Sequence, residues 1–123
     1  MKSFKELKCW SEARDLYLVV HTLTDVNPEL RKKLWHLIDQ MLRSALSISS
    51  NIAEGWGRKS DTQFAHFLDI SLGSLAELES QASIFAKIVS IGETEEEIVQ
   101  KASSVRRLIV GLKHSLRLPK KPA

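Results

Sequence analysis

Apolar residues recur at intervals of three and four through four long stretches of this chain, and nowhere do they alternate in the manner of a strand. A period near 3.6 places such residues on one face of a helix. The first stretch carries Leu7, Trp10, Ala13, Leu16, Tyr17, Val20 and Leu23, and the second Leu34, Leu37, Ile38, Met41, Leu42, Ala45, Ile48, Ile52 and Trp56. The third carries Phe64, Phe67, Leu68, Ser71, Leu75, Leu78, Ala82, Phe85 and Val89, and the fourth Ile98, Ala102, Val105, Leu108, Ile109, Leu112 and Leu116. Four amphipathic helices with no sheet to cover must bury their stripes against one another. The expected fold class is all-α, a four-helix bundle.

The punctuation falls where helix ends belong. Three prolines and five glycines in 123 residues leave long segments uninterrupted. Asn27-Pro28-Glu29 reads as a helix start, with Asn27 as cap and Pro28 at the first position, where its missing N–H costs nothing. Ser60-Asp61-Thr62-Gln63 and Thr94-Glu95-Glu96-Glu97 have the spacing of a capping box, so two more helices are expected to begin there. Gly55, Gly57 and Gly92 precede those starts and suit helix C-termini at which the chain turns left-handed. Ser3-Phe4-Lys5-Glu6 fits the same box and sets the first helix from Phe4 to about Asp25. Connections of about two to six residues make sequential helices antiparallel, which predicts an up-down-up-down bundle over residues 1–117. Residues 118–123, with two prolines and two lysines, read as a flexible basic tail.

At this length a single core is expected, and 43% hydrophobic with 27% charged residues excludes a largely disordered chain. Cys9 is the one cysteine and cannot form an internal disulfide, and residues 1–6 lack the apolar core of a signal peptide. A cytoplasmic location is the resulting expectation. Charge interrupts every apolar run well short of the ~20 residues that span a membrane, so no membrane partner is expected. The net charge is +3, with Glu93, Glu95, Glu96 and Glu97 at the start of the last helix and Lys113, Arg117, Lys120 and Lys121 at its end. Such polarity complements the helix macrodipole at ~0.3–1 kcal/mol per charge. A basic end is equally the footprint of a phosphate-binding protein, and charge alone does not separate the two.

The segment from Gln40 to Ser60 is unusual for a helix: Ser44, Ser47, Ser49, Ser50 and Asn51 crowd into it, although Ser and Asn compete with the helical backbone for hydrogen bonds. Small side chains allow close approach, and Ser71-Leu72-Gly73-Ser74-Leu75-Ala76 in the third stretch is small as well. A reversal near Trp56 to Ser60 sets Leu42 opposite Gly73 and Arg43 near Glu77, which predicts a tight contact of the second and third helices with a polar bridge beside it. Asn51 and Glu54 are expected to satisfy amides of the turn, and Arg43 to pair with Glu77 or Glu79. A ligand or RNA pocket at that corner, formed by Arg43, Asn51, Glu54, Arg58 and Glu77, is the functional alternative to this structural role.

Phe4-Lys5-Glu6-Leu7-Lys8-Cys9-Trp10 with Ala13, the run Gln40 to Ser60 with its Asn51-Ile52-Ala53-Glu54-Gly55, and then Phe67-Leu68 and Gly73-Ser74-Leu75-Ala76-Glu77-Leu78-Glu79 resemble the four-helix bundle family encoded in 23S rRNA intervening sequences. The likeness covers Phe4 to about Leu112. Cys9 stands where that family usually has a branched apolar residue, and Leu46 where it often has Val. The resemblance implies a left-handed bundle, assembly as a homopentamer and no enzymatic activity. It further implies kinship with the accessory protein of diversity-generating retroelements, and through it RNA, DNA or a reverse transcriptase as partner.

No nucleophile elbow, phosphate loop or zinc spacing occurs, and His21, His36, His66 and His114 form none of the Glu-x-x-His pairs of a di-iron bundle. Neither catalytic residues nor a cofactor nor a metal site is expected. His66 and Asp69 share a face in the manner of a surface hydrogen bond, and Cys9 reads as a small buried hydrophobe. Trp10 belongs to the core stripe. Trp35, beside Arg31-Lys32-Lys33, and Trp56, beside Arg58-Lys59, suit either a subunit interface or a base-stacking platform next to phosphate-binding charge. Two functions follow as expectations: a nucleic-acid-binding oligomer using Arg31, Lys32, Lys33, Arg58, Lys59, Lys113, Arg117, Lys120 and Lys121, or a protein-interaction scaffold whose charges serve solubility only.

Overall fold

A computed structural model describes residues 2–89 and 92–119, with side chains for residues 2–89 and 95–119. It consists of helices α1 (Lys8–Leu23), α2 (Pro28–Trp56), α3 (Asp61–Val89) and α4 (Gly92–Ser115), with no strand among the described residues. Each helix packs on two others: α1 and α3 both lie against α2 and α4. This is the all-α, up-down-up-down bundle expected from the four stripes.

The stripes form the core. Ala13, Leu16 and Val20 of α1, Met41, Ala45, Ile48 and Ile52 of α2, Leu68, Leu75, Leu78, Ala82 and Phe85 of α3, and Ile98, Ala102, Val105 and Ile109 of α4 are fully buried. Each large aliphatic removed from water contributes about 1.5–3 kcal/mol, which offsets the entropy of ordering the chain. Trp10 is only partly buried at the edge of this core, its ring meeting Phe4 edge-on at 5.2 Å and Arg14 at 5.4 Å. Cys9 is buried at 4% exposure, and burial pushes its thiol from 9.0 up to about 11.

Two starts follow the capping chemistry closely. The Asn27 side chain accepts from the Leu30 amide at 2.9 Å with Pro28 first in α2, and the Ser60 hydroxyl accepts from the Gln63 amide at 3.1 Å before α3. The first helix is shorter than the capping box at Ser3 suggests. Ser3 caps a 3₁₀ turn, Phe4–Glu6, and Leu7 then takes an extended conformation (φ −73°, ψ 124°) before α1 begins. Burying Leu7 in the core favours this break over a continuous helix. At the other end α1 stops at Leu23, and Thr24 is buried with its hydroxyl donating to the Val20 carbonyl at 2.7 Å. The last helix opens at Gly92, ahead of the expected cap at Thr94, whose side chain lies outside the described ones; Gly92 thus begins a helix instead of ending one.

Neither glycine of the α2–α3 corner turns left-handed, and Gly55 serves packing. Gly57 caps α2 in the right-handed region (φ −73°, ψ −9°), and Gly55 lies inside α2. A Cβ on Gly55 would stand 2.7 Å from Phe64 Cδ1 and 2.9 Å from Phe67 Cβ, so α2 and α3 leave no room for a side chain there. Gly73, expected at that close approach, has nothing within 4 Å of an added Cβ.

The α2–α3 contact is the most extensive in the bundle, and serines line it. The Ser47 and Ser74 hydroxyls are 2.9 Å apart, Ser71 donates to the Ile48 carbonyl at 2.9 Å, and Ser44 reaches Glu77 at 3.5 Å. A hydroxyl that bonds across the interface needs no neighbouring water, so a helix-weakening residue is tolerated there. The register set by Ser47 and Ser74 brings Leu42 level with Glu79 instead of Gly73. The polar bridge exists, but Ser44 makes it. Arg43 is 74% exposed at its side chain and pairs with Asp39 one turn away at 3.0 Å, while Glu79 takes Arg106 of α4. Asn51 donates back to the Ser47 carbonyl and hydroxyl at 2.8 and 3.0 Å, and the Glu54 carboxylate takes Arg58 at 2.5 Å; neither side chain serves the turn amides.

Candidate nucleic-acid interface

Antiparallel packing brings the candidate basic residues to the two ends of the bundle, while Arg14, Arg43, Lys101 and Arg106 form ion pairs along its sides. Arg31, Lys32 and Lys33 lie in the first turns of α2, and Arg58 and Lys59 follow its last residue, roughly 40 Å away at about 1.5 Å per residue. Arg117 follows α4 and so returns to the Arg58 end: its amide donates to the Asp61 carboxylate at 2.9 Å. Lys113 lies one turn before it and pairs with Asp69 at 2.6 Å, leaving His66 without the Asp69 hydrogen bond expected of it. Lys120 and Lys121 fall outside the described residues.

Much of this charge is answered locally. Arg31 pairs with Asp25 and donates to the Val26 carbonyl, Lys33 lies 3.6 Å from Glu29, and Arg58 pairs with Glu54 while lying 4.8 Å over the Phe67 ring. Exposed pairs of this kind are worth about 0–1 kcal/mol and yield readily to a stronger anion. Lys32 and Lys59 are exposed and form no ion pair among the described residues.

An aromatic side chain stands beside each cluster. Trp35 is 54% exposed and stacks on His36 at 3.5 Å between ring centres, one turn from Lys32. Trp56 is half-buried and meets Phe64 edge-on at 6.4 Å. At this second place the surface opens into a cavity of about 270 Å³, with Leu7, Trp56, Phe64, Leu112 and Leu116 as its walls and Arg58, Lys59, Ser60 and Asp61 around them. Leu7, Phe64, Leu112 and Leu116 were legible only as core positions. Their gathering at the Arg58 end depends on how far α4 runs past the α2–α3 turn, which no local motif encodes.

Apolar side chains are exposed on the flanks: Leu18 on α1, Trp35 and Leu46 on α2, Ile70, Ile84 and Ile88 on α3, and Val99 on α4. Among the described residues no group of three or more His, Cys, Asp or Glu is placed to hold a metal ion, and no helix is long and apolar enough to cross a membrane.

The model of the 23S rRNA-intervening sequence protein family matches residues 5–111. No curated protein matches the chain. The chain belongs to the 23S rRNA-intervening sequence protein family.

Proposed function

We propose that this member of the 23S rRNA-intervening sequence protein family is a non-enzymatic homo-oligomer that binds nucleic acid, RNA foremost, through the basic ends of its bundle. The observation that carries the reading is the gathering of Arg58, Lys59 and Arg117 at one end around the half-buried Trp56. Cations beside an aromatic ring are what a sequence-tolerant single-strand binder needs: charge for phosphate and a face for bases. The apolar side chains exposed on the flanks support self-association, because covering them between copies removes them from water. A ring of five copies is the form that the family resemblance implies, and a reverse transcriptase bound to its RNA is the partner it suggests. Repetition of a weak basic patch around such a ring raises avidity without a new contact.

Titration of the full chain against a structured RNA and a single-stranded DNA at two salt concentrations tests this. Affinity is expected to fall with salt at a log–log slope of about −0.7 per neutralised phosphate on single strands. Absence of binding even at low salt defeats the proposal. Sedimentation is expected to give a multiple of the 13.9 kDa chain mass.

The second reading, a protein-interaction scaffold, is favoured by Trp35, whose indole is more than half exposed. It predicts a protein partner captured equally well after nuclease treatment and lost on Trp35→Ala.

A further inference from the structure

The cavity at the Arg58 end has features that a plain basic surface does not require. Its walls are apolar and partly aromatic, with Trp56 and Phe64 at right angles to within 10° (80° between planes). Its volume, about 270 Å³, falls just below the ~300 Å³ at which pockets for drug-sized ligands begin. It therefore has room for one ring system with a short substituent.

The charge around it is one-sided in availability. The Arg58 guanidinium pairs with the Glu54 carboxylate and lies over the Phe67 ring beside the opening. Asp61 carries the opposing charge, and one of its oxygens is taken by the Arg117 amide. Lys59 is exposed and forms no ion pair among the described residues. A flat ring in the apolar hollow thus lies within reach of a mobile cation, the arrangement that a base with its phosphate matches. A base inside a duplex is stacked on both faces and has no free plane to offer, so the occupant must be unpaired.

We propose that this cavity takes the base of one unpaired nucleotide of a single-stranded nucleic acid, against Trp56, with Lys59 on the adjoining phosphate. The inference rests on the nucleic-acid reading above and narrows it from a charged surface to a defined pocket. It assigns Leu112 of α4 and Leu116, which follows that helix, to the pocket wall. Trp35, at the far end of α2, does not line the cavity of about 330 Å³ at that end, whose walls are His21, Thr24, Asp25, Arg31, Ile38 and Leu42.

The test uses the full chain with a short single-stranded RNA, the same strand carrying abasic positions, and a blunt duplex of the same sequence. The intact strand is expected to bind at least about fivefold more tightly than the abasic one, the lower end of what one stacked base contributes. Lys59→Glu is expected to weaken both strands, and Trp56→Ala to erase the difference between them. Should Trp56→Ala unfold, photo-crosslinking of an iodouridine strand to the unaltered chain replaces it, with adducts expected at Trp56 or Phe64. Equal binding of intact and abasic strands, or crosslinks confined to Trp35, overturns the pocket while leaving the basic-surface reading standing. No binding of any strand overturns both. A protein partner that Lys59→Glu releases, in the absence of any oligonucleotide binding, overturns the proposal in favour of a peptide occupant.

Discussion

Gly55→Ala and Gly73→Ala make the same chemical change in two long helices and are expected to move stability in opposite directions. Alanine in place of glycine inside a helix gains about 0.5–1 kcal/mol, chiefly by restricting the unfolded chain. At Gly73 nothing opposes this gain, because the new methyl meets open space. At Gly55 the methyl would stand 2.7 Å from Phe64 Cδ1 and 2.9 Å from Phe67 Cβ, against ordinary contacts of 3.4–4 Å. The ring edge of Phe64 can rotate, but Phe67 Cβ is fixed to the α3 backbone. Relief therefore requires α2 and α3 to separate by about half an ångström at this corner, and overpacking of this sort costs about 1–3 kcal/mol. The net expectation is a loss of about 1 kcal/mol for Gly55→Ala and a gain of up to about 1 kcal/mol for Gly73→Ala. Urea unfolding followed by helical circular dichroism, at one fixed protein concentration, reads both. Near the thermal midpoint 1 kcal/mol corresponds to roughly 4 °C in a domain of this size. If Gly55→Ala is as stable as Gly73→Ala, the close approach at the corner is not what selects glycine there.

Two further tests concern side chains whose partners the structure fixes. In a double-mutant cycle, Arg43→Ala with Glu77→Ala is expected to show no coupling, whereas Arg43→Ala with Asp39→Ala shows about 0.3–0.5 kcal/mol, as exposed pairs one turn apart do. Coupling to Glu77 above that level would restore the bridge from Arg43. The Cys9 thiol is raised by burial from 9.0 to about 11, so between those values the unfolded chain has lost its proton and the folded chain has kept it. Stability is expected to be unaffected by this group below pH 9 and to fall as the pH rises from 9 towards 11, a decline that Cys9→Ala removes. For the same reason thiol reagents are expected to modify Cys9 slowly in the folded protein and rapidly in denaturant; equal rates would show the thiol to be accessible.

Helix existence was legible because burial and periodicity report the same thing: every stripe position from Leu16 to Ile109 that the core needs is apolar or small. Caps were legible where one side chain decides the outcome, as at Asn27 and Ser60. What failed were inferences that needed a distance between helices. Register alone sets Arg43 beside Glu77 or Glu79, yet Ser44, one position further, turns towards α3 and leaves Arg43 in solvent, while Glu79 takes Arg106. Glycine at the C-terminal end of α2 was read through its conformational freedom, whereas a Cβ-sized gap is what Gly55 provides. The same blindness hid the pocket. Arg58, Lys59 and Trp56 are adjacent in sequence and were visible as a cluster, but Leu7, Leu112 and Leu116 join them only through tertiary packing.

The division between flanks and ends bears on how assembly and binding coexist. The exposed apolar residues Leu46, Ile70, Ile84 and Val99 occur along the sides of the bundle, while Lys59, Arg117 and the cavity lie at one end and Lys32 at the other. Under the proposed cyclic assembly, copies joined side to side about an axis along the bundle would cover the apolar flanks and leave both ends in solvent. Every cavity would then face the same rim of the ring, because rotation about that axis does not exchange the two ends of a helix. A single strand following the rim would meet one pocket per subunit, and affinity would grow with strand length until the circuit closes. A side-to-side assembly whose two-fold axes run across the bundle instead turns alternate cavities to opposite rims and gives no such growth. Affinity that rises with oligonucleotide length and then levels off therefore speaks for a ring, and affinity independent of length beyond one site speaks against it.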